Sequence, residues 1–255
     1  MPAPRSPRRL ALLVVLPLTA LLGACGGGDG GEGGGGGGAG AAPTADAAPT
    51  GPREIDTPDC VPDDARAVAT GPEDEPVVVV TLGDGANGLV FAPQSGDTFC
   101  EWVPTLEAYA AQGYTVASFA WSGDAAASLR SAVDVLLAED VDAYALVGSS
   151  VGGAMSAALA DDLDPAPAGV LALSPGRVSD AGSAASADSA YTGPLLVIGS
   201  AADNATAARA VARADDPSTY LEVPGGAHGL ALFATDSGPL VEQRMAEFLG
   251  GLFAG

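Results

Sequence analysis

From Val77 onward the chain alternates short aliphatic runs with segments whose apolar residues recur at helical spacing. This alternation constrains the fold more than any other feature. Strands that alternate with helices build a parallel sheet, because each helix carries the chain back across a sheet face to begin the next strand. Such a sheet is covered on both faces, so its strands read as unbroken apolar runs. The runs are Val77–Val80, Gly88–Ala92, Tyr114–Ala120, Tyr144–Val147, Gly169–Leu173, Pro194–Ile198 and Thr219–Val223. Helices are expected over Pro104–Gln112, Asp124–Glu139, Ala154–Leu163, Ala205–Ala214 and Leu240–Leu249. The second is the clearest, since Leu129, Ala132, Val133, Leu136 and Leu137 fall on one face. Asp84-Gly85 and Asn87-Gly88 punctuate the first two strands and predict a hairpin there. The expected fold class is α/β, a mostly parallel sheet with helices on both faces, formed by residues 54–255. Ala168–Gly193 holds one strand and a loop rich in Ser and Ala, which leaves no room for a lid domain.

Composition narrows the partners. At 255 residues and 47% hydrophobic, the chain can bury one sizeable core. It carries 10 Lys+Arg, all of them Arg, against 32 Asp+Glu, for a formal charge of −22. Such a surface repels phosphate backbones, so nucleic acid is excluded as a partner and anionic ligands are disfavoured. One His and three Cys cannot supply a multi-His or four-Cys metal site. No metal and no cofactor is expected, and a monomer is the expected state.

Residues 1–24 read as an address rather than as fold. Met1–Arg9 is a basic lead with Arg5, Arg8 and Arg9, and Leu10–Leu22 is an apolar run. That run is short of the ~20 residues a membrane-spanning helix needs and suits an export signal. It ends in Leu22-Gly23-Ala24-Cys25, which resembles the lipobox of bacterial lipoproteins. The resemblance implies that Cys25 becomes the acylated first residue of the mature chain. The expected location is the extracytoplasmic face of the cell membrane, lipid-anchored. Residues 25–53 are Gly-rich, then rich in Ala, Pro and Thr, and cannot bury apolar area. They are expected to be a flexible tether, with a root-mean-square span of roughly 26–31 Å over Gly26–Pro52. Past Cys25, seven Arg face 32 acids, so the tether would hold an acidic domain off an anionic membrane.

In parallel sheets, ligands sit beyond the carboxyl ends of the strands. The chemistry-bearing residues of this chain lie immediately after strands. Gly148-Ser149-Ser150-Val151-Gly152 follows a strand and precedes a helix, matching G-x-S-x-G with Ser150 at its centre. Ser149 is out of frame, because Val147 takes its first Gly position. A Ser on such a turn is held in a strained conformation with its hydroxyl above the sheet, where a helix N-terminus favours developing negative charge. Asp203 follows the run Leu195–Gly199, and His228 follows Val223 in a Gly-flanked loop. The order Ser, Asp, His, with each residue past a strand, fits one of three arrangements of a nucleophile–base–acid triad. His228 is the only His, so any imidazole base is this residue. Asp180 competes with Asp203 for the third place, and Asp203 is preferred for its nearness to a strand end. Asp215, Asp216 and Glu222 read as solvated charge.

These residues resemble the α/β-hydrolase superfamily over roughly Val77 to Phe253, nearest to its small, lid-poor members related to dienelactone hydrolase. Gly88–Gly96, then Trp102 and Gly113-Tyr114-Thr115-Val116, look like that superfamily's oxyanion strand, loop and next strand. The loop often begins His-Gly there, and here it reads Pro93-Gln94. An Asp-x-Arg-Gly-type turn is replaced by Ala120-Trp121-Ser122-Gly123-Asp124. The resemblance implies that His228 takes the Ser150 proton, Ser150 attacks a carbonyl, and Asp203 fixes the imidazole tautomer. It implies oxyanion donors at the backbone N–H of Val151 and of either Gln94 or Ser95. The expected activity is serine hydrolysis of small neutral carboxylic esters. A non-catalytic binding module and a peptidase or amidase on the same fold remain alternatives. Trp121, Phe99 and Phe233 could wall the site or belong to the core. Cys60 and Cys100, the two cysteines left in an exported chain, are expected to form a disulfide.

Overall fold

The computed structural model describes residues 51–176 and 191–254. The expected signal and tether up to residue 50, Cys25 and Asp180 lie outside the described residues. Nine strands form one sheet: β1 Arg53–Glu54, β2 Arg66–Thr70, β3 Val77–Leu82, β4 Asn87–Ala92, β5 Tyr114–Phe119, β6 Ala143–Ser149, β7 Val170–Leu173, β8 Leu195–Ser200 and β9 Tyr220–Val223. Five α-helices connect or follow them: α1 Val103–Ala110, α2 Ala125–Leu137, α3 Val151–Leu159, α4 Ala205–Val211 and α5 Gly238–Leu252. The strand order is β1-β2-β3-β5-β4-β6-β7-β8-β9. The strands from β5 through β4 to β9 are parallel, while β1, β2 and β3 join at one edge by antiparallel pairing. The expected fold class holds.

The period of two along each strand divides the core. On β4, Val90 and Ala92 face one layer while Leu89 and Phe91 face the other. On β7, Val170 and Ala172 alternate with Leu171 and Leu173 in the same way. The first layer meets α2 through Leu129, Ala132, Val133 and Leu136. The second meets α1 through Leu106 and Tyr109, and α5 through Val241, Met245 and Leu249. The side chain of Asp124 accepts from Ala127 N at 3.0 Å and caps α2, which therefore starts one residue later than the sequence suggested.

The expected hairpin between β3 and β4 is not formed. β5 lies between them, antiparallel to β3 and parallel to β4. Gly85 and its neighbour Gly83 serve a close passage instead of a hairpin turn. A Cβ on Gly83 would lie 2.2 Å from Tyr114 O, and one on Gly85 would lie 1.8 Å from Gly113 O. The turn must be bare so that the chain entering β5 can slide between the two strands. β1 and β2 precede the strand–helix alternation that begins at Val77, and no local pattern marks them.

Cys60 and Cys100 form a disulfide with a Cα–Cα distance of 5.6 Å and a sequence separation of 40. Closing a loop of that length restricts the unfolded chain by roughly 4 kcal/mol in the chain-entropy account. The bridge ties the segment before β2 to the 3-10 turn Phe99–Trp102 that opens α1.

Candidate active site

Ser150 sits at the junction of β6 and α3 with φ 51 and ψ −114. The only other non-glycine residues with positive φ among those described are Asp140 and Ser174. Such a conformation strains a residue with a Cβ and persists only where surrounding bonds enforce it. Here they do: Ser150 N donates to Leu173 O at 2.8 Å, and Ser150 O accepts from Ala154 N at 3.0 Å and Gly176 N at 3.3 Å. The flanking glycines are required by contact. A Cβ on Gly148 would lie 2.3 Å from the Gly152 carbonyl carbon, and one on Gly152 would lie 2.2 Å from Ala92 O. The first turn of α3 thus rests directly on the end of β4. The Ser150 hydroxyl makes no hydrogen bond with any described residue.

Asp203 stands three residues past β8, in a loop pinned to the loop after β9. Ala201 N donates to Val223 O at 2.9 Å, Ala202 N to Gly225 O at 2.8 Å, and Ser200 Oγ to Ala227 O at 2.7 Å. That pinning brings His228 Nδ1 to 2.7 Å from Asp203 Oδ2. A carboxylate can only accept in this bond, so in the neutral imidazole it selects the tautomer with the proton on Nδ1 and the lone pair on Nε2. The Asp203 side chain is 19% exposed and that of His228 is 39% exposed, so the acid is shielded while the imidazole stays reachable. No hydrogen bond joins His228 to Ser150, but their loops touch. Gly229 has φ 56, and a Cβ there would lie 2.3 Å from both Ser149 Oγ and Gln94 Oε1.

The Gln94 and Ser95 N–H groups make no hydrogen bond with any described residue. Val151 opens α3, where helix N–H groups have no partner within the helix. Pro93 O accepts from Trp121 Nε1 at 3.1 Å, so Trp121 supports the loop that carries Gln94. Phe99 is core, 6% exposed. Phe233 lines a groove of about 540 Å³ between α1 and α5 with Leu230, Tyr109, Met245, Glu101 and Glu242. None of Ser150, Asp203 and His228 lines that groove. Burial pushes the Tyr109 phenol there up to about 12, so it stays neutral. Asp216 caps a short turn through Ser218, and Glu222 pairs with Arg209, so both serve structure at the surface.

One contact was not foreseen. Ser149, set aside as out of frame, is fully buried and donates to Gln94 Oε1 at 3.0 Å. Its place in the x position of G-x-S-x-G was visible, whereas its partner, 55 residues earlier, was not.

No family model matches the chain, and no curated protein matches it by sequence. Solved structures do match it by shape. An esterase from Pyrococcus furiosus superposes with TM-score 0.60 at 13% identity, covering 74% of this chain and 91% of that one. Esterase 2 of Thermogutta terrifontis gives 0.55 at 16% identity, with 71% and 92% covered. Dienelactone hydrolase from Anabaena variabilis gives 0.53 at 17% identity, with 78% and 98% covered. Together with the strand order and the β6–α3 turn, these similarities show that the chain has the α/β-hydrolase fold.

Proposed function

We propose that this protein is a serine hydrolase of small, neutral carboxylic esters, exported and anchored to the membrane through acylated Cys25. The observation that carries the catalytic reading is the 2.7 Å bond from His228 to Asp203 in loops that meet the strained Ser150 turn. Ser150 is the nucleophile. His228 Nε2 takes its proton as the hydroxyl oxygen attacks the ester carbonyl, and the imidazolium so formed is stabilised by Asp203. The tetrahedral oxyanion is held by the N–H of Val151 and that of Gln94 or Ser95, each worth roughly 3–4 kcal/mol in comparable sites. His228 then returns the proton to the leaving alcohol, and water, activated by the same imidazole, resolves the acyl-enzyme. The esterases and the dienelactone hydrolase that share the fold support hydrolysis as the reaction class.

The test is a panel of neutral esters and peptides offered to the purified domain, together with a fluorophosphonate probe. Esters turned over, peptides left intact and Ser150 labelled is the expected pattern. Peptide cleavage would make the protein a peptidase. A folded protein that neither labels nor turns over any substrate would be a binding module. The anchor is tested separately: mass spectrometry of the membrane-extracted protein is expected to find an acylated Cys25 as its first residue. An unmodified Cys25, or a mature chain that begins elsewhere, overturns the anchoring.

A further inference from the structure

Two loops and the end of β6 converge beside Ser150, and a side-chain contact joins β6 to one loop under the other. The loop after β4 supplies Gln94, β6 supplies Ser149, and the loop after β9 supplies Gly229. Ser149 Oγ donates to Gln94 Oε1 at 3.0 Å. The Gly229 backbone lies over both atoms, so closely that an added methyl group would lie 2.3 Å from each. Gly229 also holds φ 56, a conformation glycine adopts without cost.

We propose that Ser149 and Gln94 are positioning residues, a polar latch that sets the oxyanion loop and the His228 loop in register with Ser150. The inference rests on the serine-hydrolase reading and names what holds that machinery together. Three constraints support it. Ser149 is fully buried next to the nucleophile and is paired with Leu173 of β7 at the end of β6, so its hydroxyl is held in place. Its bond to Oε1 fixes the Gln94 amide, whose own backbone N–H is a candidate donor to the oxyanion. The amide and hydroxyl oxygens form the floor on which Gly229 sits, and Gly229 directly follows the base His228. Neither latch side chain is assigned a contact with the substrate. Small misplacements of catalytic groups are costly, so a latch of this kind acts on the chemical step more than on ground-state binding.

The test is a double-mutant cycle with Ser149→Ala, Gln94→Ala and both, read as kcat and KM on p-nitrophenyl acetate beside the thermal midpoint. Each single change is expected to lower kcat about tenfold with KM nearly unchanged. The pair is expected to lose about as much as either alone, because a latch with one half missing is already open. Losses that multiply, or a Ser149→Ala enzyme with wild-type kcat, overturn the proposal. A second readout is independent of turnover. His228 is the chain's single His, so its imidazole proton resonances are unique. They should shift or broaden in Ser149→Ala and in Gln94→Ala while the protein stays folded, its thermal midpoint falling by only a few degrees because each change leaves one buried polar atom without its partner. Resonances superimposable on wild type refute the latch even if the protein hydrolyses nothing. A wild type that turns over no ester and takes no fluorophosphonate label, yet shows the shifted imidazole in the variants, refutes the hydrolase reading and retains the latch.

Discussion

Ser150→Ala is expected to abolish ester turnover, with kcat falling by about six orders of magnitude toward background. The size follows from the role: without the hydroxyl there is no nucleophile, and His228 and Asp203 have no proton to move. What survives is catalysis by the oxyanion donors and by binding alone, on the order of 10³–10⁴ over water. The fold should be indifferent to the change. The hydroxyl has no hydrogen-bond partner among the described residues, so its loss orphans none of them. The turn is held through backbone bonds to Leu173, Ala154 and Gly176, which alanine keeps. Alanine also carries the same Cβ through φ 51, so the strain is unchanged. Turnover at saturating ester, measured beside an unchanged thermal midpoint, checks the prediction. Activity within tenfold of wild type would mean that another group attacks the carbonyl.

Asp203→Asn should cost about 10⁴ in kcat while barely altering the structure. An amide is nearly the shape of a carboxylate, so the 2.7 Å contact to His228 Nδ1 can persist. Its sense reverses. The amide NH₂ donates to Nδ1, the imidazole proton moves to Nε2, and the nitrogen that should accept from Ser150 is already protonated. A proton resonance on Nε2 instead of Nδ1 would report this tautomer directly. Asp180→Asn should leave kcat unchanged. If Asp180→Asn is the inactive variant and Asp203→Asn the active one, the acid has been misassigned.

The parallel part of the sheet was readable because its strands are buried on both faces and stand out as aliphatic runs. The carboxyl ends of those runs then pointed to Ser150, Asp203 and His228, and the structure bonds the last two together. What escaped reading depended on contacts remote in sequence. Gly85 carries a turn signal, yet its bareness answers to Gly113, some thirty residues later, as that of its neighbour Gly83 answers to Tyr114. A local pattern cannot distinguish a glycine that turns the chain from one that lets another strand pass. Likewise Ser149 was read for its frame, while its function in the fold is set by Gln94. The short strands β1 and β2 take their antiparallel places from the edge of β3 rather than from any periodicity of their own.

The Cys60–Cys100 bridge also decides where mechanical tension would travel. A pull on the amino end of the described chain meets first β1, two residues long and paired only to β2, and peels it away at little cost. At Cys60 the force leaves the backbone and crosses through sulfur to Cys100, at the head of α1. β2, which follows Cys60 in the chain, is bypassed and cannot be unzipped from its free end. A pull on the amino end is thus passed to the head of α1 rather than to the weak β1–β2 edge.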